Sequence, residues 1–416
     1  MNIWTDCKRV PLPSLLTFIV DNRGKTVPTA ENGHILIATN CIKNDHLYPV
    51  YEKVRFLSQE TYDTFFRAHP KPGDIIFVNK GTPGRCALVP DPVDFCIAQD
   101  MMAFRVDNSK VNNLYLLSVL RSYEIQRMIY SISVGDVIPH FKKQMLDKIL
   151  IPLPSLDIQN KIADVFSDLN LKIENNRRIC ENLETQAQAL FKHWFVDFAP
   201  FKDGKFVESE LGLIPEGWRV GTLSDLGEIV GGATPSKAES SYFTDKGIPW
   251  LTPKDLSNDL KKFTSRGEID ITEDGYKSCS AKIMPRGSVL FSSRAPIGYL
   301  TIAKNSICTN QGFKSVVPKY AGTAYIYYLL KLNTKRIESM STGTTFKEAS
   351  GALMKSLAVV LPPKTILDTF ESKVLDIFNE QEILETESSR LATLRDTLLP
   401  KLMSGEIKVN EIEKSL

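Results

Sequence analysis

One feature constrains this chain more than any other: it repeats itself once, at a spacing of about 210 residues, half of its 416. Gly73-Asp74-Ile75-Ile76-Phe77-Val78-Asn79-Lys80 matches Gly287-Ser288-Val289-Leu290-Phe291-Ser292-Ser293-Arg294, and Gly84 then matches Gly298. Cys96-Ile97-Ala98-Gln99 matches Cys308-Thr309-Asn310-Gln311, and Ser131-Ile132-Ser133-Val134-Gly135 matches Ser339-Met340-Ser341-Thr342-Gly343. Leu153-Pro154 matches Leu361-Pro362, Trp4 lies opposite Trp218, and Gly24-Lys25-Thr26 lies opposite Gly232-Ala233-Thr234. The order is preserved and the offset drifts only from 214 to 208, which chance similarity between short strings does not produce. Two copies are too few to stack into a solenoid. The expected product is a pseudo-two-fold molecule.

Each copy has two parts. Its first ~150 residues carry short β-branched and aromatic runs broken by Gly, Pro and Asn, such as Ile35-Leu36-Ile37-Ala38-Thr39, Asp74 to Val78 and Val289 to Phe291, which read as strands. Helices are expected over Leu114 to Tyr130 and Ala324 to Met340, so the class is α+β. The second part is a long helix. From Ile158 to Phe195 there is no Pro or Gly, and Ser155 with Asp157 can cap its start. Spacings of four and three place Ile162, Phe166, Leu169, Ile173, Asn176, Cys180, Leu183, Ala187, Leu190 and Trp194 on one stripe. The second copy runs from about Ile366 to Leu402 and carries Phe370, Val374, Ile377, Leu384, Leu391, Leu394 and Leu398, with Gln381 and Ser388 interrupting the stripe and Pro400 near its end. Ser388 is the repeat equivalent of Asn176, and a polar residue within such a stripe tends to fix register. Each helix would be roughly 57 Å long. Two helices in one chain, each needing cover for its stripe, most simply form an antiparallel coiled coil; the alternative is that each packs on its own domain.

Charge is distributed by part. The whole chain is nearly balanced, with a formal net charge of +2. Residues 1–150 hold 18 basic and 15 acidic side chains and residues 213–362 hold 19 and 13, whereas residues 151–212 hold 7 and 10 and residues 363–416 hold 7 and 11. Both globular parts are positive and both helices negative, as expected of phosphate-facing domains joined by solvated or protein-facing spacers. The plainer reading is that long solvated helices are commonly acidic. No window approaches the roughly 18 apolar residues a membrane span needs. The amino end lacks a basic region followed by an apolar core, and seven scattered cysteines without a C-x-x-C fit reduced thiols. A cytoplasmic location without membrane partners is expected.

No catalytic pattern stands out. A G-x-x-x-x-G-K-[ST] loop fails because Ile19 stands where its first glycine should be, and G-x-G-x-x-G and G-x-S-x-G are absent. Leu361-Pro362-Pro363-Lys364 lacks both ends of an amino-methyltransferase string. Glu371-Ser372-Lys373 and Glu406-Ile407-Lys408 lack a partner aspartate in a strand, and the five histidines lie far apart. No metal site is expected. Binding signals are better. At matched places a cation follows a buried strand in a glycine-containing turn: Lys80 with Arg85 around Gly81 and Gly84, and Arg294 with Tyr299 around Gly298. Strand-end loops carry recognition side chains, and Arg and Lys reach guanine edges or phosphates. Further candidates are Arg23 and Lys25, Thr39 and Asn40, Thr234 and Lys237, and Thr252 and Lys254. Taken singly, a turn or a solvated surface is the plainer role for each; the paired placement is what raises the Lys80 and Arg294 turns as contacts.

These strings resemble a known family, the specificity subunits of type I restriction–modification systems. Asp21-Asn22-Arg23-Gly24-Lys25-Thr26 is similar to an opening motif of their target-recognition domains, and Ile151-Pro152-Leu153-Pro154-Ser155-Leu156-Asp157-Ile158-Gln159 to the junction into their first conserved helix. Trp194-Phe195-Val196-Asp197-Phe198 resembles the exit from that helix, Leu211 to Trp218 the entry to the second domain, and Leu394 to Ile407 the end of the second helix. The resemblance implies two pseudo-symmetric α+β target-recognition domains, residues 1-152 and 201-362, separated by helices within 153-200 and 363-416. Each domain would read one half of a split, asymmetric site in double-stranded DNA, and helix length would set the gap. The chain itself would be non-catalytic and hold no cofactor. It would scaffold two methyltransferase subunits using S-adenosylmethionine, joined by restriction/translocase subunits using ATP and Mg. With Trp4 already opposite Trp218, any helix before the first domain is expected to be short or missing. A stand-alone DNA-modifying enzyme with an unrecognised site, or a DNA-mimicking decoy, are the competing expectations.

Overall fold

The strand-like runs of both halves fold into sheets of one shared topology. The structure, a computed structural model, describes residues 2–22, 25–135, 139–258, 261–342 and 347–407. It divides into two units, Met1–Asn176 with Glu387–Leu416 and Arg177–Thr386. In the first unit the main sheet has the antiparallel order Leu16–Asp21, Met101–Val106, Ile75–Val78, Cys86–Leu88. A second sheet places Phe95–Ile97 parallel to His34–Ile37, with Arg55–Leu57 on the other side. In the second unit the main sheet has the order Gly227–Gly231, Lys314–Pro318, Val289–Ser293, Ile297–Ala303, then a fifth strand, Phe263–Thr264, parallel to its neighbour. Cys308–Thr309 lies parallel to Trp250–Leu251, in the place of the pair in the first unit. Ribbons of Arg9–Pro11 with Leu150–Pro152 and of Arg219–Thr222 with Ala358–Leu361 are again equivalent.

Repeat-equivalent side chains hold the copies in the same way. Gly73 and Gly287 both have positive φ (81° and 83°), a backbone state open mainly to glycine. Their carbonyls accept from Asn113 Nδ2 at 3.1 Å and Thr323 Oγ1 at 2.8 Å, at the start of the helix that covers each sheet. The buried Tyr115 and Tyr325 hydroxyls donate to the ribbon carbonyls of Pro152 (2.8 Å) and Val360 (3.0 Å). In the second unit the covering helix is continuous over Thr323–Met340. The helix expected over Leu114 to Tyr130 instead breaks into Asn113–Arg121 and Tyr123–Ile132. Ser122 is the cause: its backbone is extended, its Oγ donates to Val119 O at 2.6 Å, and it accepts from Ile125 N at 3.4 Å as the next amino cap.

The long helices span Leu156–Phe195 and Lys364–Ser404, with Pro400 inside the last turns of the second. They run antiparallel within each unit. In the first unit Arg395 Nη1 donates to Asn170 Oδ1 (2.8 Å), and Asn176 Nδ2 to Glu387 Oε2 (2.6 Å) and Ser388 Oγ (3.3 Å), so Asn176 meets its own repeat equivalent. In the second unit Gln381 Nε2 donates to Cys180 O (3.0 Å), while the Phe370 ring meets Trp194 and Phe195 at 6.2 and 4.9 Å. The apolar stripe is not a uniform zipper. Ile162 and Phe166 are buried in the core of the first unit, and Phe370 and Val374 with Ala187 and Phe191 in that of the second. Leu384 is also buried, whereas Leu169, Ile173, Leu183, Leu190, Ile377, Leu391 and Leu398 are half-buried and Leu394 is exposed. Between the apolar ends, Asn170, Glu174, Asn176, Gln381 and Arg395 fill the buried positions. The helices therefore do both things the spacing allowed: they pair with each other and complete their domains' cores.

Candidate nucleic-acid interface

The strand Ile75–Val78 is wholly buried and delivers Asn79 and Lys80 to its end. The turn that follows is closed by Gly84 N on Val78 O and Val78 N on Arg85 O, both 2.9 Å. Gly84 has φ +94°, and a Cβ there would stand 3.0 Å from Gln126 Oε1. In the second unit Gly298 has φ +102°, and a Cβ would stand 2.3 Å from Thr334 Cγ2. The glycines that mark both turns are thus pressed against the covering helix. A returning loop then crosses each strand end: Phe141 N donates to Asn79 O at 2.7 Å, and Ala349 N to Ser293 O at 2.9 Å. This sets His140 beside Lys80 and Glu348 beside Arg294.

The repeated Cys-x-x-Gln segment is the hub on which the other candidates converge. In the first unit Ala98 N donates to Ile37 O, just before Thr39 and Asn40, Asn79 N donates to Asp100 O, and Asn22 Nδ2 donates to Ile97 O. In the second, Asn310 N donates to Leu251 O, just before Thr252, Ala233 N to Thr309 O, just before Thr234, and Ser293 N to Gly312 O, just before Arg294. Lys80, Arg85 and Lys25 are exposed, and no ion pair forms on Lys80 or Arg85 among the described residues. Arg23 lies outside the described residues. Asn40 donates to Glu52 O, and Thr39 opens a short 3-10 turn. Thr234 donates to Gln311 Oε1. Thr252 is engaged as a cap, its N and Oγ1 both 2.7 Å from Asp255 Oδ2. Lys254 is exposed and 3.5 Å from Glu268, Lys237 is exposed, and Tyr299 packs against a buried cluster with its N on Ser292 Oγ at 2.7 Å.

Sequence reading missed Asn79, Gln99, Ser293, Thr309 and Gln311 as site residues. Buried side-chain oxygens of Asn22, Asn79 and Gln99 in one unit, and of Ser293, Thr309 and Ser315 in the other, have no hydrogen-bond partner among the described residues. Native interiors leave few such groups; Asn79 and Ser293 are repeat equivalents beside the two cationic turns, where water or a ligand can complete the bonding. The signal was available, because Gln99 and Gln311 close a repeated motif. The cysteines of that motif are not nucleophiles: burial pushes both the Cys96 and Cys308 thiols up to about 12. Among the described residues, no group of three or more His, Cys, Asp or Glu side chains could hold a metal ion, and no helix is long and apolar enough to cross a membrane.

Comparison with known proteins gives a consistent picture. The family model for the type I restriction modification DNA specificity domain matches twice, over residues 26–185 and 215–392. The MjaIX type I restriction enzyme specificity subunit of Methanocaldococcus jannaschii is 41% identical over 191 residues, a stretch covering 44% of each chain and so less than half of that relative. The HindI specificity subunit of Haemophilus influenzae is 26% identical over 403 residues, covering 81% of this chain and 87% of the relative. The crystal structure of a type I restriction–modification system S subunit from M. genitalium matches with a TM-score of 0.55 at 14% identity, over 96% of both chains, a likeness of fold.

Proposed function

Because the chain belongs to the type I restriction–modification DNA specificity family, we propose that its two units each read one half of a bipartite, asymmetric sequence in double-stranded DNA. The observation that carries this is duplication with divergence: one topology occurs twice, each copy presents a turn with a cationic residue beside a Cys-x-x-Gln segment, and the residues around the two turns differ. Two copies of one reader with different surfaces recognise two different half-sites. The paired helices act as the spacer between the half-sites. The chain supplies specificity and not the chemistry. Two methyltransferase subunits dock on it and methylate adenine using S-adenosylmethionine; restriction/translocase subunits add ATP- and Mg-dependent cleavage. The complex works in the cytoplasm, where its DNA is.

Methylation mapping tests this. DNA from cells carrying the chain with its methyltransferase partner is expected to be modified at two short sequences separated by a fixed gap of unspecified bases. One contiguous modified sequence would overturn the reading.

A further inference from the structure

We propose that Arg294 reads a base edge, held for that task by Glu348, whereas its repeat mate Lys80 grips a backbone phosphate. The inference rests on the DNA-reading proposal and assigns different work to two equivalent cations. Glu348 Oε2 lies 3.4 Å from Arg294 Nη1, and its Oε1 lies 3.3 Å from Lys314 Nζ. Lys314 also donates to Gln311 O at 3.4 Å, which ties the group to the hub. Among the described residues the first unit has none of this. His140 stands where Glu348 does, and the register through Asp100 and Gly312 puts the buried Met102 where Lys314 is.

A carboxylate this close to a guanidinium does two things. It anchors one nitrogen, so the remaining donors keep a fixed fork of the kind that pairs bidentately with the O6 and N7 acceptors of guanine. It also offsets one of the two positive charges of Arg294 and Lys314, which weakens their pull on a phosphate, while a neutral base edge meets no such loss. Arg294 and Glu348 are 37% and 38% exposed, so a base edge can approach them. Beside Arg294, Ser293 Oγ is buried without a partner among the described residues. Lys80 has no carboxylate partner among the described residues and is exposed, which suits a point charge against phosphate.

The test uses the assembled methyltransferase complex, the cognate duplex, and duplexes in which each specified base pair of both half-sites is changed in turn, at several salt concentrations. Arg294→Ala is expected to weaken cognate binding roughly 10- to 100-fold and to abolish discrimination at one base pair of one half-site, with the salt slope kept. Arg294→Lys preserves the charge and is expected to lose discrimination at that same base pair. Glu348→Gln is expected to tighten binding to unrelated duplexes and steepen the salt slope. Lys80→Ala is expected to weaken all duplexes alike and lower the salt slope by about 1. Uniform weakening by Arg294→Ala, or none, overturns the assignment. If the wild-type complex discriminates at neither half-site, the DNA-reading proposal itself fails.

Discussion

The two units share a topology and differ in how they hold the long helices. In the first, the covering helix starts at Asn112, whose N donates to the neutral Gln159 Oε1 of the first long helix at 2.9 Å. In the second, the equivalent position is Gly322, because the Glu371 carboxylate occupies the space a Cβ would need and accepts from Ala324 N at 3.0 Å. The second unit also has its fifth strand, and this carries Lys262 onto the helix pair. The Lys262 ammonium contacts Glu184 Oε2 and Gln381 Oε1 at 2.7 Å and lies 3.6 Å from the centroid of the Phe378 ring. Lys331 meets the other Glu184 oxygen at 2.6 Å, and Tyr328 donates to Glu184 at 2.8 Å. Glu385 accepts from both Lys262 N and Phe263 N. One apolar pattern thus builds both domains, and polar anchoring is where the copies were free to diverge, since a buried ion pair needs only a few matched residues.

That comparison can be broken, most severely at Glu184. Glu184→Gln leaves the Lys262 ammonium buried without its counter-charge and is expected to destabilise the second unit by about 3–5 kcal/mol, measured by chemical unfolding, whereas Gln159→Ala in the first unit removes only neutral hydrogen bonds with Asn112 N and Pro154 O and is expected to cost about 1–3 kcal/mol. pH sharpens the same contrast. Burial alone would raise the Glu184 carboxyl, but Lys262 and then Lys331 override it and hold it at about 2, below its ordinary 4.5. A depressed carboxylate contributes stability that is present above its unfolded value, so stability of the second unit is expected to fall between about pH 4.5 and 2. Burial lowers Lys262 to about 8, against the pull of Glu184, so its desolvation penalty is relieved as pH rises from about 8 towards 10.5. Thermal melts across pH, with Glu184→Gln flattening the acid limb, check both signs.

The glycine turns come next. Gly298→Ala is expected to lower stability by about 2 kcal/mol and Gly84→Ala by about 1, because both force a side chain into a left-handed state but only the first also drives a Cβ into a fixed methyl group. Equal losses would show that the two turns are packed alike. The smallest effect concerns the helices. Asn176 Oδ1 is buried without a partner among the described residues, so Asn176→Leu is expected to be neutral or to stabilise by up to about 1 kcal/mol. If Asn176 holds the register, cysteine cross-linking across the pair in this variant should trap shifted as well as native pairings.

Much of this was legible before any coordinates. The duplication announced two equivalent domains, and the absence of Pro and Gly after Ile158 announced a helix ending at Phe195, as it does. Strands such as Ile75–Val78 and Val289–Ser293 were visible because runs of β-branched and aromatic residues leave few other choices. The break at Ser122 was not, because a serine can sit inside a helix or cap the next one, and the choice depends on whether its hydroxyl finds Ile125 N. Thr252, a candidate contact, also serves as a cap, a role its local sequence did not single out for the same reason. Gln99 and Gln311 were in view as the close of a repeated motif, and only the folded chain shows which loops converge on that motif.

The sequence by itself determined the duplication, the α+β class, the two helices and the segregation of charge, because these follow from periodicity and composition along the chain. Only the tertiary structure decided which cation is paired. Arg294 and Glu348 are 54 residues apart, and Lys80 and His140 are 60 apart. Nothing local joins them. It takes a returning loop hydrogen-bonded across a strand end to set one cation beside a carboxylate and leave its equivalent open to solvent.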